Sequence, residues 1–128
     1  MPHNYDLELY KLKAEISKTL ADPKRLMIIA ELRSGEKQVG ELALALETPQ
    51  AVISRHLASL RSRGIVAPRR EGTSVFYSLT DARIIDACDL MHEVLINRLN
   101  ENKIQTSNLL NYIQLVKLPG QEQSEESK

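Results

Sequence analysis

The strongest constraint on this chain is the spacing of its breakers between residues 48 and 79. Thr48-Pro49 opens a helix-length segment and Gly64 closes it. Two short stretches, Ile65 to Arg70 and Ser74 to Leu79, then follow around Glu71-Gly72-Thr73. A hydroxyl residue before proline is a helix-start signal, because proline at the first helical position forfeits no intrahelical hydrogen bond. Glycine accepts the left-handed conformation at a helix end. The two stretches carry β-branched, aromatic or alternating residues, so the spacing predicts a helix feeding directly into a β-hairpin.

Similar punctuation recurs on both sides. Leu9, Leu12, Ile16 and Leu20 recur at helical spacing, with Lys11, Lys13, Glu15 and Lys18 on other faces, which predicts an amphipathic first helix. Asp22-Pro23 starts a second helix to about Arg33, ended by Ser34-Gly35. A short helix over Gln38 to Leu46 presents Val39, Leu42 and Leu46, Glu47 forms the turn, and the helix after Pro49 is expected to bury Val52, Leu57 and Leu60. Downstream, Thr80-Asp81 offers another start, and Ile84, Cys88, Met91, Leu95 and Leu99 make an apolar stripe that calls for a partner helix. Polar Asn97 to Lys103 reads as an interruption before Leu109, Leu110, Ile113 and Val116 resume an apolar face, which Pro119-Gly120 ends.

With 128 residues, one phenylalanine and four tyrosines, the chain suits one core packed helix on helix. The expected fold is mainly α with a small β-hairpin wing, a winged helix-turn-helix. A single domain is expected over 1–118, with flanking helices, and a disordered acidic tail over 119–128.

Lysines and arginines balance acidic residues at 17 each. The balance is uneven along the chain, however. Between Thr48 and Arg83 stand Arg55, Arg61, Arg63, Arg69, Arg70 and Arg83 against only Glu71 and Asp81, and local charge sets the field that a phosphate backbone meets. The lone Cys88 forms no intrachain disulfide, and no apolar run approaches the roughly 20 residues that cross a bilayer, so a cytoplasmic protein without membrane contact is expected. No glycine-rich phosphate loop, nucleophile elbow or spaced histidine and carboxylate pair suggests an enzyme.

Two short helices joined by a tight turn, the second bearing arginine and followed by a basic hairpin, describe a unit that reads double-stranded DNA. The second helix fits the major groove and the hairpin lies along neighbouring backbone or minor groove. Gln50 suits adenine edges and Arg55 suits guanine edges or phosphate. Thr48, Ser54 and Ser59 suit phosphates, as do Arg69 and Arg70 in the hairpin. Ala51, His56, Arg61 and Thr73 complete the candidate surface.

The segments that carry this pattern resemble the ArsR/SmtB family of repressors: Leu20-Ala21-Asp22-Pro23-Lys24-Arg25-Leu26, Val39-Gly40-Glu41-Leu42, Ile53-Ser54-Arg55-His56-Leu57, and Arg69-Arg70-Glu71-Gly72 before Val75-Phe76-Tyr77. The resemblance spans about Lys11 to Leu99. It implies a homodimer built on the first and penultimate helices and release from DNA when an inducer binds; such a dimer is expected to place its two reading helices about one DNA turn apart on an inverted-repeat operator.

The sensor sites typical of such relatives are missing. Paired cysteines would fall within Glu36 to Leu42, where none occurs. For a site on the interface helix Asp81 fits the first position, but Arg83, Val94 and Asn97 occupy the others. No cofactor is expected and the inducer is left open. An alternative is a metal- or redox-responsive switch at Cys88, Asp89, His92 and Glu93, which share helical spacing. Packing of Cys88 in the apolar stripe is the plainer reading. A further alternative is a winged module that captures protein through Leu109 to Val116 and binds no DNA.

Overall fold

The computed structural model describes residues 5–102, which divide into two compact units meeting at residues 81 and 82. In the first unit, α1 (Leu7–Leu20) begins at Asp6, whose carboxylate accepts from the Glu8 amide at 3.0 Å. Helix α2 (Pro23–Glu31) begins at Asp22, which accepts from the amides of Lys24 and Arg25 at 2.9 and 3.3 Å. These are the donors a helix start otherwise leaves unmade. A 3-10 turn over Leu32–Ser34 then leads to the two-residue strand β1 (Lys37–Gln38). Next comes α3 (Val39–Ala45), where the Gln38 amide donates to Glu41 Oε1 at 2.8 Å. Glu47, at φ 49°, makes the turn into α4 (Gln50–Ser62).

Thr48 does not cap α4 as the sequence suggested. Its hydroxyl turns back to donate to the Leu46 carbonyl at 2.8 Å, and extended Pro49 occupies the cap position. The turn is so tight that the nearest acceptor for this hydroxyl lies behind it. Gly64 ends the segment at φ 74°, a conformation that costs a side-chain-bearing residue about 1 kcal/mol or more.

Strands β2 (Val66–Glu71) and β3 (Ser74–Leu79) form the expected hairpin about Gly72-Thr73, with Gly72 at φ 63°. The sheet has three strands in the order β1-β3-β2, all antiparallel, because β1 pairs Lys37 with Tyr77 and Gln38 with Phe76. Thr80 does not start the next helix either. Its hydroxyl donates to the Gly64 carbonyl at 2.6 Å, closing the base of the hairpin.

The core of this unit is Ile28, Ile29, Leu32, Leu42, Ile53, Leu57, Leu60, Ile65 and Val66, all at most 3% exposed. In α4 the buried member is Ile53 and not Val52, which is half-buried. Positions 53, 57 and 60 fall on one stripe at 3.6 residues per turn, and 52 lies about a quarter-turn off it. The expected apolar face of α1 stays largely uncovered, with Leu9, Leu12 and Ile16 at 49%, 62% and 40% exposure.

The second unit contains α5 (Arg83–Asn102), which continues through the expected interruption at Asn97. None of the polar residues there is glycine or proline, so no backbone bond of the helix is lost. Leu90, Met91, Val94 and Leu95 are exposed. No helix among the described residues is long and apolar enough to cross a membrane. The apolar segment Leu109 to Val116 and the tail over 119–128 lie outside the described residues.

Candidate nucleic-acid interface

Burial of Ile53, Leu57 and Leu60 fixes the rotation of α4 and so decides what it shows to solvent. Opposite the buried stripe stand Ala51, Arg55, Ala58 and Ser62, all exposed. Arg55 is the one charged residue of this face, and it forms no ion pair with a described residue. Ser54 and Arg61 are exposed on the flank nearer the core. Gln50 shares that flank, and its Nε2 lies 3.5 Å from where a Cβ on Gly40 would stand. The missing side chain of Gly40 leaves this amide room beside the first turn of α3.

The other flank is tied to the scaffold. His56 is half-buried and its Nδ1 accepts from Arg25 Nε at 3.3 Å, while Arg25 Nη1 donates to the Thr19 carbonyl at 2.8 Å. About two turns further on, Arg63 Nη2 pairs with Glu15 of α1 at 2.8 Å. The ring of His56 is thus turned to α2, unlike the other candidate contacts of α4 that face solvent. Ser59 is half-buried and its carbonyl accepts from the Ser62 hydroxyl at 2.9 Å. Beneath this flank, partial desolvation pushes the Asp22 carboxyl up. The Arg25 and Lys24 amides and the charges of His56 and Arg25 outweigh it, holding Asp22 below its ordinary value.

The two wing arginines prove unlike each other. Arg69 Nε and Nη2 grip Glu36 at 3.0 and 2.6 Å, and Nη1 donates to Glu71 at 2.8 Å. Its guanidinium also lies 4.8 Å from the centre of the Phe76 ring. These carboxylates, Glu36 first, raise the arginine further above its ordinary pKa, and Arg69 in turn lowers that of Glu36. Arg69, a candidate phosphate contact, is thus held in an internal pair, with its side chain still partly exposed. Arg70 is exposed and forms no ion pair with a described residue, and Thr73 is exposed at the tip.

Sequence reading missed Ala58 and Ser62 on the outward face, although the register that buries 53, 57 and 60 would have found them. It also missed Glu36, for which no local pattern exists. Among the described residues, no group of three or more His, Cys, Asp or Glu is placed to hold a metal ion, so Cys88, Asp89, His92 and Glu93 do not form a ready ligand set within one chain. Cys88 is half-buried.

A family model for bacterial regulatory proteins of the arsR family matches residues 22–67. The chain is 39% identical over 77 residues to the transcriptional activator HlyU of Vibrio cholerae, a match covering 60% of this chain and 71% of that one. It is 46% identical over 77 residues to the biofilm growth-associated repressor of Agrobacterium fabrum, covering 58% and 66%. Among solved structures, the homodimeric winged helix-turn-helix DNA-binding domain from Mycobacterium bovis matches with a TM-score of 0.68 at 29% identity, covering 83% of this chain and 100% of that one.

Proposed function

The chain belongs to the arsR family of bacterial regulatory proteins, and from that premise we propose that it is a homodimeric repressor acting on an inverted-repeat operator in the cytoplasm. It is a DNA-binding transcriptional regulator and not an enzyme. The observation that carries the operator reading is the division of α4 into a committed inner side and an uncommitted outer one. The buried stripe and the His56 and Arg63 ties immobilise the helix, while Ala51, Arg55, Ala58 and Ser62 remain open. Small residues around one arginine let a helix sit deep in the major groove, with Arg55 reaching guanine or phosphate. Gln50, Ser54 and Arg61 line its edge, Thr48 and Ser59 fix register, and Arg70 and Thr73 follow the backbone.

A second copy of the chain is the partner best suited to the exposed apolar residues of α1 and of α5, because water-facing clusters of this kind are unfavourable in a monomer. The homodimeric M. bovis domain supports this assembly. Two copies would set the reading helices about one DNA turn, roughly 34 Å, apart. Repression follows from occupancy of the promoter by the dimer. The A. fabrum repressor favours that sign, whereas the V. cholerae relative is an activator.

The test is fluorescence anisotropy of the full chain on duplex DNA from upstream of its own gene and on a scrambled duplex, across a salt series. Tight upstream-selective binding that weakens steeply with salt is expected. Equal binding to both duplexes by a folded dimer would overturn operator recognition. Transcription in vitro from the same promoter then reads the sign, and stimulation by added protein would overturn repression.

A further inference from the structure

Arg69 and Arg70 are adjacent in β2, and successive strand residues point to opposite faces of the sheet. Arg69 lies across from Phe76 and Arg70 across from Val75. Gln38 of β1 is also paired with Phe76, so Glu36, two residues before it, reaches the Arg69 face. The hairpin is therefore clamped on one face to the segment that precedes β1. The clamp is a two-point Arg69–Glu36 grip with Glu71 as a third point and Phe76 beneath. A bidentate arginine in a network holds an orientation that a single exposed ion pair does not.

Charge counting points the same way. Two carboxylates surround one guanidinium, so the group as a whole is negative and does not draw a polyanion. We propose that Arg69 and Glu36 are positioning residues that lock the wing so that Arg70, on the opposite face, meets the DNA backbone. This rests on the DNA-binding reading given above. Glu36 is then a carboxylate whose presence raises affinity for DNA, the reverse of what its charge alone would do.

The sign of the Glu36 effect gives the test. Full-chain Glu36→Ala, Arg69→Ala, Arg70→Ala and the Glu36→Ala/Arg69→Ala double variant are titrated by anisotropy on the upstream duplex through a salt series. Arg70→Ala should flatten the slope of log K against log salt by about 0.9, the value for one phosphate. Glu36→Ala and Arg69→Ala should each weaken binding about 3- to 10-fold at every salt with the slope kept, and the double variant should be no weaker than either single one. Tighter binding by Glu36→Ala, or loss of a full 0.9 of slope in Arg69→Ala, would overturn the proposal. Amide hydrogen exchange on the free proteins reads the lock without DNA. Exchange over residues 66–79 should quicken in Glu36→Ala and Arg69→Ala but not in Arg70→Ala, and unchanged exchange in the first two would overturn the lock. Failure of the wild-type chain to select its duplex would instead overturn the operator reading and, with it, the role of Arg70.

Discussion

Arg25 Nε donates to His56 Nδ1 at 3.3 Å, which joins the first turn of α2 to the middle of α4 across 31 residues of sequence. Arg25 is itself held by the Thr19 carbonyl, so the end of α1, the start of α2 and the reading helix share one polar joint. The joint sets how α4 is carried on the scaffold. An Arg25→Ala and His56→Ala double-mutant cycle should give a coupling of about 1 kcal/mol in denaturant unfolding. Strict additivity would show that the contact contributes nothing.

Arg55 stands on the face that points away from the core and has no structural commitment among the described residues. Arg55→Ala should therefore leave thermal stability unchanged and weaken operator binding by about 1–3 kcal/mol, with relaxed preference at one base pair if guanine is the contact. Unaltered affinity in the anisotropy assay would remove Arg55 from the reading surface.

Rotation of α4 about its axis can be checked through its core side. Ile53→Ala removes a fully buried side chain and should cost about 2–5 kcal/mol, whereas Val52→Ala, half-buried, should cost about 1 kcal/mol. Urea unfolding of the two variants decides it. The reverse order would mean that a different face of α4 points outward.

Asp22 gives a pH signature. Its carboxyl titrates below the ordinary 3.8 in the folded chain, so ionisation favours folding. The contribution is complete at pH well above the unfolded value and disappears as pH falls through the folded one. Asp22→Asn keeps a side-chain cap but cannot ionise. The wild-type chain should be the more stable at neutral pH, and its lead should shrink once pH drops below about 4. Denaturant midpoints for both proteins across that range provide the measurement, and a lead that stays constant to the lowest pH would contradict the assignment.

Much of the reading unit is written locally. Asp22-Pro23, Gly64 and Gly72 mark their own turns through backbone preferences that hold wherever the residue is placed. The apolar period assigns α4 a buried side, and alternation assigns Arg69 and Arg70 to opposite faces of a strand. These features act over a few residues, so the sequence alone determined the order of the helices and the hairpin. The tertiary structure decided which members of each pattern were committed. Two-residue β1 has no period to display and exists because Tyr77 and Phe76 lie alongside it. Thr48 and Thr80 look like caps until folding brings nearer acceptors to their hydroxyls. Val52 and Ile53 are equally apolar, and the packing of α4 on its neighbours selects Ile53. Arg69 and Arg70 are chemically alike, yet Glu36, 33 residues away, binds one of them and not the other. A charge takes its role from the partner nearest in space, and chain separation in the sequence does not encode that distance.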